Sequence, residues 1–216
     1  FQGEGIEADQ YSMGAYFNDI SRVGDAYSYG LDDILLAYNN VYDISDDICE
    51  CDHGKGTHTL FRNKLTQGGN TGVSCQDMPY GLVSVIDNQL TGLMDKTWKQ
   101  PDTKHRIVWA NNTQFGRLSG QYGAAFLDTV DSVFCNCVLG VKEPAGDNCY
   151  SYGTLSYGAD SSWAGHMRTW QNNAWLAQDT KILNLHVDSL TAIQAKGVET
   201  NSFMLADYGT VAMAQY

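Results

Sequence analysis

The sequence predicts an α+β fold, with several amphipathic helices, a small antiparallel β element and Gly-rich loops that are stapled by disulfides. Two observations support this fold class. Apolar residues recur at steps of three and four over long stretches, which is the helical period, and six cysteines flank Gly-rich segments. A chain of 216 residues with 43% hydrophobic residues can bury a core. We therefore expect a single domain over 1–216, with two lobes, 1–100 and 101–216, as the alternative.

The first helical pattern covers the N-terminal part of the chain. Its apolar residues are Met13, Tyr16, Ile20, Val23, Tyr27, Leu31, Ile34, Tyr38 and Val41. Gly24 and Gly30 interrupt the pattern, so it predicts two helices or one bent helix. The acidic residues lie mostly off this pattern, and the segment 1–52 is accordingly predicted to be an acidic helical segment.

Further elements follow along the chain. Apolar spacing predicts a second helix over 83–98 and a third over 115–134, and 163–170 suggests a short aromatic helix. The run 107–109 (Ile-Val-Trp) indicates a short strand. A closing antiparallel hairpin is predicted around 207–209.

The cysteines form two groups of similar spacing. Neighbours in a Cys-x-Cys step rarely bond to each other because the ring would be strained, so we expect each to reach a different partner. A zinc site is the alternative, although structural zinc usually takes Cys-x2-Cys spacing. Disulfides would place the chain in an oxidising compartment. The predicted disulfide residues are Cys49, Cys51, Cys75, Cys135, Cys137 and Cys149.

The net charge of −12 is concentrated at one end of the chain. Residues 1–52 hold twelve acidic residues and one basic residue, whereas the remaining 164 residues hold thirteen acidic and twelve basic ones. Nucleic acid and anionic lipid surfaces both require clustered Lys and Arg, so this balance argues against both partners. The sequence lacks an apolar run of the ~18 residues that a membrane span needs, and membrane insertion is not expected.

The densest polar cluster lies in the Gly-rich stretch 43–81, which the sequence predicts to be a long loop. Closely spaced carboxylates repel one another, and a calcium ion would relieve that repulsion. Calcium is thus the one cofactor the pattern admits, with Asp46, Asp47, Glu50 and Asp52 as ligands. A solvated acidic face is the alternative. His53 and His58 lie in the same stretch but lack the H-E-x-x-H spacing of a zinc hydrolase.

These features favour a non-enzymatic structural subunit that assembles with copies of itself in an extracellular filament, a surface coat or a virion shell. The acidic segment would dock on a neighbouring copy through apolar anchors. These anchors are Phe1, Tyr11, Met13, Tyr16 and Phe17. The sequon at Asn111 predicts glycosylation on an extracellular or cell-surface protein. The alternative is a secreted carbohydrate-binding protein or hydrolase that uses the 43–81 stretch.

Overall fold

The chain winds as a β-solenoid in which every paired strand runs parallel to its neighbour. The computed structural model describes residues 3–8, 12–30, 32–52, 55–74, 81–93, 96–99, 106–116, 131–141, 167–177, 191, 194–195 and 200–204. These residues form 20 strands. Each turn of the solenoid, called a coil below, adds one strand to each sheet in the first five coils.

The strands are numbered in chain order. The first coil holds β1 (Ile6–Ala8), β2 (Ser12–Tyr16) and β3 (Asp19–Ser21). The second holds β4 (Tyr27–Tyr29), β5 (Asp33–Ala37) and β6 (Asn40–Ile44). The third holds β7 (Cys49–Glu50), β8 (Thr57–Phe61) and β9 (Lys64–Gly68). The fourth holds β10 (Thr71–Ser74), β11 (Leu82–Ile86) and β12 (Gln89–Leu93).

The later coils continue the same order. The fifth holds β13 (Lys96–Lys99), β14 (Arg106–Ala110) and β15 (Thr113–Gly116). The next two hold β16 (Asp131–Cys135) with β17 (Val138–Val141), and β18 (Met167–Gln171) with β19 (Ala174–Ala177). The last holds β20 (Phe203–Met204).

Three sheets result. Sheet A has the order β1-β4-β7-β10-β13, sheet B the order β2-β5-β8-β11-β14-β16-β18, and sheet C the order β3-β6-β9-β12-β15-β17-β19-β20.

The core is a set of columns in which side chains from successive coils stack on one another. In sheet B, Leu36, Leu60 and Val85 are in register and fully buried. Because side chains alternate between the two faces of a strand, every second residue enters the interior. Burial of these apolar columns is what stabilises the solenoid.

A ladder of buried amides holds the corner between sheets B and C. The main-chain N–H of each ladder residue donates to the side-chain oxygen of the next one, at 2.9–3.0 Å. Each side-chain Nδ2 from the second coil onward donates to a carbonyl of the coil before it, at 2.7–3.0 Å. Buried polar groups must be paired, and the ladder pairs them at every turn. Its asparagines are Asn18, Asn39, Asn63, Asn88 and Asn112.

Shorter ladders fix the other two corners. Between sheets C and A, Asp25 Oδ1 accepts the N–H of Asp47, and Asp47 Oδ1 accepts the N–H of Thr71, both at 2.9 Å. Ahead of sheet B, Asp33 Oδ1 accepts the N–H of Thr57 at 2.9 Å. Side-chain bonds to the main chain therefore set the register of coils at all three corners.

The residue before each ladder position turns the chain with a positive φ. The first four of these residues are Phe17, Tyr38, Arg62 and Asp87, with φ of 53–60°. From the fifth coil onward every one is asparagine, at 111, 136, 172 and 201. Asparagine tolerates this left-handed conformation best among residues with a Cβ. The first coils therefore place less suitable side chains at a strained, exposed turn.

The structure contradicts the predicted α+β fold class. The N-terminal helical pattern corresponds to strands β2 to β6, and its members Tyr16 and Tyr38 point to solvent with 48% and 42% of their surface exposed. A helix with that apolar face would bury both. The error has a physical cause. Side chains of a strand alternate between its two faces with a period of two, and a two-residue corner between short strands shifts this alternation. Buried apolar positions on successive strands then recur at steps of three and four.

Among the other predicted elements, the helices are wrong where they are described, and one strand is confirmed. The predicted helix over 83–98 is replaced by β11, β12 and β13, and the ends of the predicted helix over 115–134 are strands β15 and β16. The short strand at 107–109 is confirmed as part of β14. The antiparallel element is wrong where it can be checked, because β20 pairs with β19 in parallel. The predicted short helix over 163–170 is wrong where it is described, because 167–170 belongs to strand β18. Residues 207–209 and 163–166 lie outside the described residues.

The disulfide-stapled loops are also contradicted. Cys49 and Cys135 are free thiols, and the part of the chain that the structure describes contains no disulfide. Cys49, Cys51 and Cys137 are buried, because they occupy inward or corner positions of the solenoid. Pairing between the strands of successive coils, rather than disulfides, therefore holds these segments together. Cys75 and Cys149 lie outside the described residues.

Cys137 interrupts the amide ladder and gives a stability prediction. It occupies the ladder position between Asn112 and Asn173, its Sγ lies 3.8 Å from Trp109 O, and a thiol is a weak hydrogen-bond group. Cys137→Asn should restore a strong acceptor for the coil before it and raise the free energy of unfolding by about 1 kcal/mol. Chemical denaturation should rank Asn above Cys and Cys above Ala at this position. An Asn variant less stable than the wild type would contradict the prediction.

Candidate functional site

The first two coils carry a concentrated set of exposed apolar side chains. These are Tyr16, Phe17, Leu35, Tyr38 and Tyr42, with exposed fractions from 36% to 78%, and they are called the apolar patch below. They wrap the corner between sheets B and C. Among the described residues, the other large exposed apolar side chain is Phe203 in the last coil. Apolar surface gathered in this way usually marks an interaction site.

A column of rings and charges runs along the same corner. The rings of Phe17 and Tyr38 stack with centroids 5.1 Å apart and planes inclined by 10°. Tyr38 meets Phe61 edge to face at 5.7 Å, and the Arg62 guanidinium lies 4.8 Å from the Phe61 ring centre. Arg62 Nε then donates to Asp87 Oδ2 at 3.2 Å. Residues of the later coils thus hold these rings in place, while Phe17, in the first coil, remains 78% exposed.

An acidic cluster lies where sheet C passes into sheet A. The pKa of the half-buried Asp25 is raised to about 6, first by burial and then by the charges of Asp46, Asp47 and Glu4. Its hydrogen bond from the Asp47 main chain works in the opposite direction. No basic residue is among the causes of the shift in the pKa of Asp25, and the charged neighbours that contribute to it are all acidic.

The pKa of Glu50 is also raised within the same cluster. It lies at about 7, raised first by burial and then by the charges of Asp52, Asp25 and Asp47. The Ser28 hydroxyl donates to Glu50 Oε2 at 3.2 Å and partly offsets the shift. A carboxyl with a pKa near neutrality changes its charge under ordinary conditions, so this corner responds to pH.

The four predicted calcium ligands lie near one another but have separate protein partners. Asp46 is exposed and accepts from Asn70 Nδ2 at 3.0 Å, while Asp47 is buried in the corner ladder. Glu50 accepts from Ser28, and Asp52 accepts from Ser74 Oγ at 3.0 Å. No three metal-binding side chains among the described residues converge on a common point. Calcium binding stays a prediction.

The stretch 43–81 is not the long loop that the sequence predicted. It contains β7 to β10, and His58 lies fully buried in β8, in register with Ile34 and Val83. A histidine in the core column cannot meet a substrate in solvent. His53 lies outside the described residues.

The predicted assembly anchors have different positions in the structure. Tyr16 and Phe17 are exposed members of the apolar patch, whereas Met13 is half-buried on β2. Phe1 and Tyr11 lie outside the described residues. Asn111, the predicted glycosylation site, is exposed at its corner, in a position that a glycan could reach.

Sequence reasoning missed Leu35, Tyr38 and Tyr42 as surface residues because the helical pattern placed two of them in or beside the buried face. A usable signal was present. The ladder asparagines are separated by 21, 24, 25 and 24 residues. Three residues before each stands an inward-facing apolar residue, such as Leu36 or Leu60. A repeat of that length indicates a solenoid.

Two findings bear on the class of the protein. Among the described residues, none belongs to a helix with the length and apolar character of a membrane span. Comparison of the chain with protein-family models, with curated proteins and with solved structures gave no match. The function must therefore be argued from the geometry of the solenoid itself.

Proposed function

We propose that the chain is a non-enzymatic structural subunit that assembles with copies of itself into a filament, coat or shell. One observation carries this proposal: the exposed apolar side chains are gathered on the first two coils and at Phe203 in the last coil. Apolar surface gathered in this way favours contact between copies.

The composition supports an extracellular, cell-surface or virion location, with 22 Gly and 13 Tyr and only 18% charged residues. The cysteines no longer add support, since Cys49 and Cys135 are free thiols. The alternative proposal is a carbohydrate binder or hydrolase that uses 43–81. It has less support because His58, one of its polar residues, is buried in the core.

Assembly should depend on the apolar patch. In light scattering and sizing across a concentration series, we expect the wild type to form large particles. The double variant Phe17→Ser with Tyr38→Ser should raise the concentration at which particles form by about tenfold or more, because two buried rings typically contribute over 1.4 kcal/mol to an interface.

Gln67→Ser is the matched control, because Gln67 is likewise exposed with a positive φ of 57° but lies outside the patch. The control should assemble as the wild type does. A wild type that stays monomeric at the highest concentration would refute the structural role and favour the secreted binder.

A further inference from the structure

We propose that the outer face of sheet B is a docking surface for the same face of a second copy, which packs alongside with its coils in reverse order. This inference rests on the proposed self-assembly and names one contact within it. The composition of the face, its area and its charges all favour this contact.

Sheet B is apolar on its outer face as well as on its inner one. The outward positions alternate with the buried ones, as the exposure of β8 and β14 shows. Over the six strands β2, β5, β8, β11, β14 and β16, two outward columns contain no charged residue. The first column consists of Gly14, Leu35, Thr59, Ser84, Val108 and Val133.

The second outward column of sheet B has the same character. It runs from Tyr16 to Cys135 and includes Phe61 and Ile86. Tyr16 is 48% exposed, and Phe61, Ile86 and Cys135 are partly exposed, so the face is accessible to a partner. A parallel sheet with two apolar faces is typical of a sheet that is covered on both sides.

Sheet C provides the contrast. Its outward column begins at Asp19 and passes through Asn40, Lys64 and Gln89, which are polar or charged. Such side chains suit contact with water, whereas the outward columns of sheet B do not. The difference between the two sheets marks sheet B as the interaction face.

The area of the face is sufficient for a specific contact between two copies. Six strands at ~4.8 Å spacing and about five residues of ~3.3 Å each cover about 29 Å by 17 Å, or about 500 Å². Two such faces bury about 1,000 Å² in total, which is the size that a specific interface requires. The pairings of sheet B show no register shift, unlike that of β12 with β15 in sheet C, so the columns remain straight.

Charge selects the reverse order of coils. Residues 1–52 contain twelve acidic residues and one basic residue, so two copies with their coils in the same order would place two acidic segments together. In the reverse order, the acidic coils of each copy face the later coils of the other. The later part of the chain is close to neutral, with thirteen acidic and twelve basic residues.

Asp33 and Arg106 fix the register of the contact. Both are exposed, and they begin β5 and β14 at the same edge of the face. Since β5 is the second and β14 the fifth of the six strands, a two-fold axis that runs along the strands between β8 and β11 sets Asp33 of each copy opposite Arg106 of the other. The same axis places Leu35 opposite Val108.

Cross-linking through the native thiol of Cys135, which is free, tests this register. The two-fold axis sets Tyr16 of one copy opposite Cys135 of the other, at the ~10 Å distance of packed sheets. Within one molecule the two positions are five strand spacings, or ~24 Å, apart. Tyr16→Cys treated with a short bismaleimide should therefore give a covalent dimer on denaturing gels.

Tyr42→Cys is the matched control, because Tyr42 is likewise exposed but lies on sheet C. It should give no cross-linked dimer above the level of the wild type. Particles that form without a cross-link between position 16 and Cys135, or equal cross-linking of the two variants, would overturn the face-to-face contact and leave self-assembly standing. A wild type that stays monomeric would overturn the proposed function, and this inference with it.

Reversing the charge of Arg106 provides an independent measurement. Arg106→Asp turns two symmetric attractions to Asp33 into repulsions, so the concentration at which copies associate should rise by about tenfold or more in sizing experiments. Lys64→Asp makes the same change of charge at an exposed position of sheet C and should leave association unchanged. Equal effects of the two variants would contradict the register set by Asp33 and Arg106.

Discussion

Replacing Asn63 with alanine should lower the free energy of unfolding by about 3–5 kcal/mol, since it leaves several buried polar groups without partners. Asn63 is 2% exposed. Its Oδ1 accepts from both the N–H and the Nδ2 of Asn39, at 3.0 and 2.9 Å. Its Nδ2 donates to Leu36 O and to Asn88 Oδ1, at 2.9 and 3.0 Å. Urea denaturation followed by far-ultraviolet circular dichroism measures the loss.

Asn40→Ala provides the control for that experiment. Asn40 follows a ladder residue directly, but its side chain makes an exposed hydrogen bond to Asp19 Oδ1 at 3.2 Å. Its removal should change the free energy of unfolding by less than ~0.5 kcal/mol. If both asparagines proved equally important, the ladder would not be the element that holds the corner.

Glu50→Gln should stabilise the protein at pH 8 by about 1–2 kcal/mol. The pKa of Glu50 is raised to about 7 in the folded state, first by burial and then by Asp52, Asp25 and Asp47. A raised carboxyl pKa means that ionisation opposes folding, so the cost is complete above pH 7 and disappears below the unfolded pKa near 4.3. Because the carboxyl is half-exposed, solvent screens part of this cost.

The pH dependence separates this effect from a general change in packing. The advantage of Glu50→Gln over the wild type should shrink as the pH falls below about 7 and should be nearly absent only below the unfolded pKa near 4.3. Glu7→Gln is the control, because Glu7 lies in the same outward column of sheet A but is exposed. A pH-independent advantage of Glu50→Gln would show that charge is not its cause.

The sequence predicted single residues better than it predicted the fold. It identified the strand at 107–109 and the acidic N-terminal segment. The structure places Tyr16 and Phe17, two of the predicted assembly anchors, at the surface, and their role in assembly stays a prediction. Those features are local, since they depend on composition or on three consecutive residues.

The solenoid is not local. Each buried column joins residues more than 20 positions apart, as Asn39 and Asn63 are joined across 24. Within one coil, strands of two to five residues carry too few alternating positions to be told from helical spacing. The cysteine prediction failed for a related reason: Cys49 lies in a core column with Tyr27 and Val73, and Cys137 takes the position that ladder amides take in other coils. A comparison of residues one coil apart in the sequence would have revealed both the solenoid repeat and the positions of these cysteines within it.

The number of residues between ladder positions bears on how the sequence of such a chain can change during evolution. Cys137 and Asn173 are ladder neighbours although 36 residues separate them, half as many again as the 24 between Asn39 and Asn63. Strands β16 and β18 nevertheless stay paired along their full length, from Asp131 with Met167 to Cys135 with Gln171. The pairing of these two strands is therefore independent of how many residues lie between them in the sequence. We expect a short insertion between β17 and β18 to leave the register of the ladder-bearing sheets unchanged.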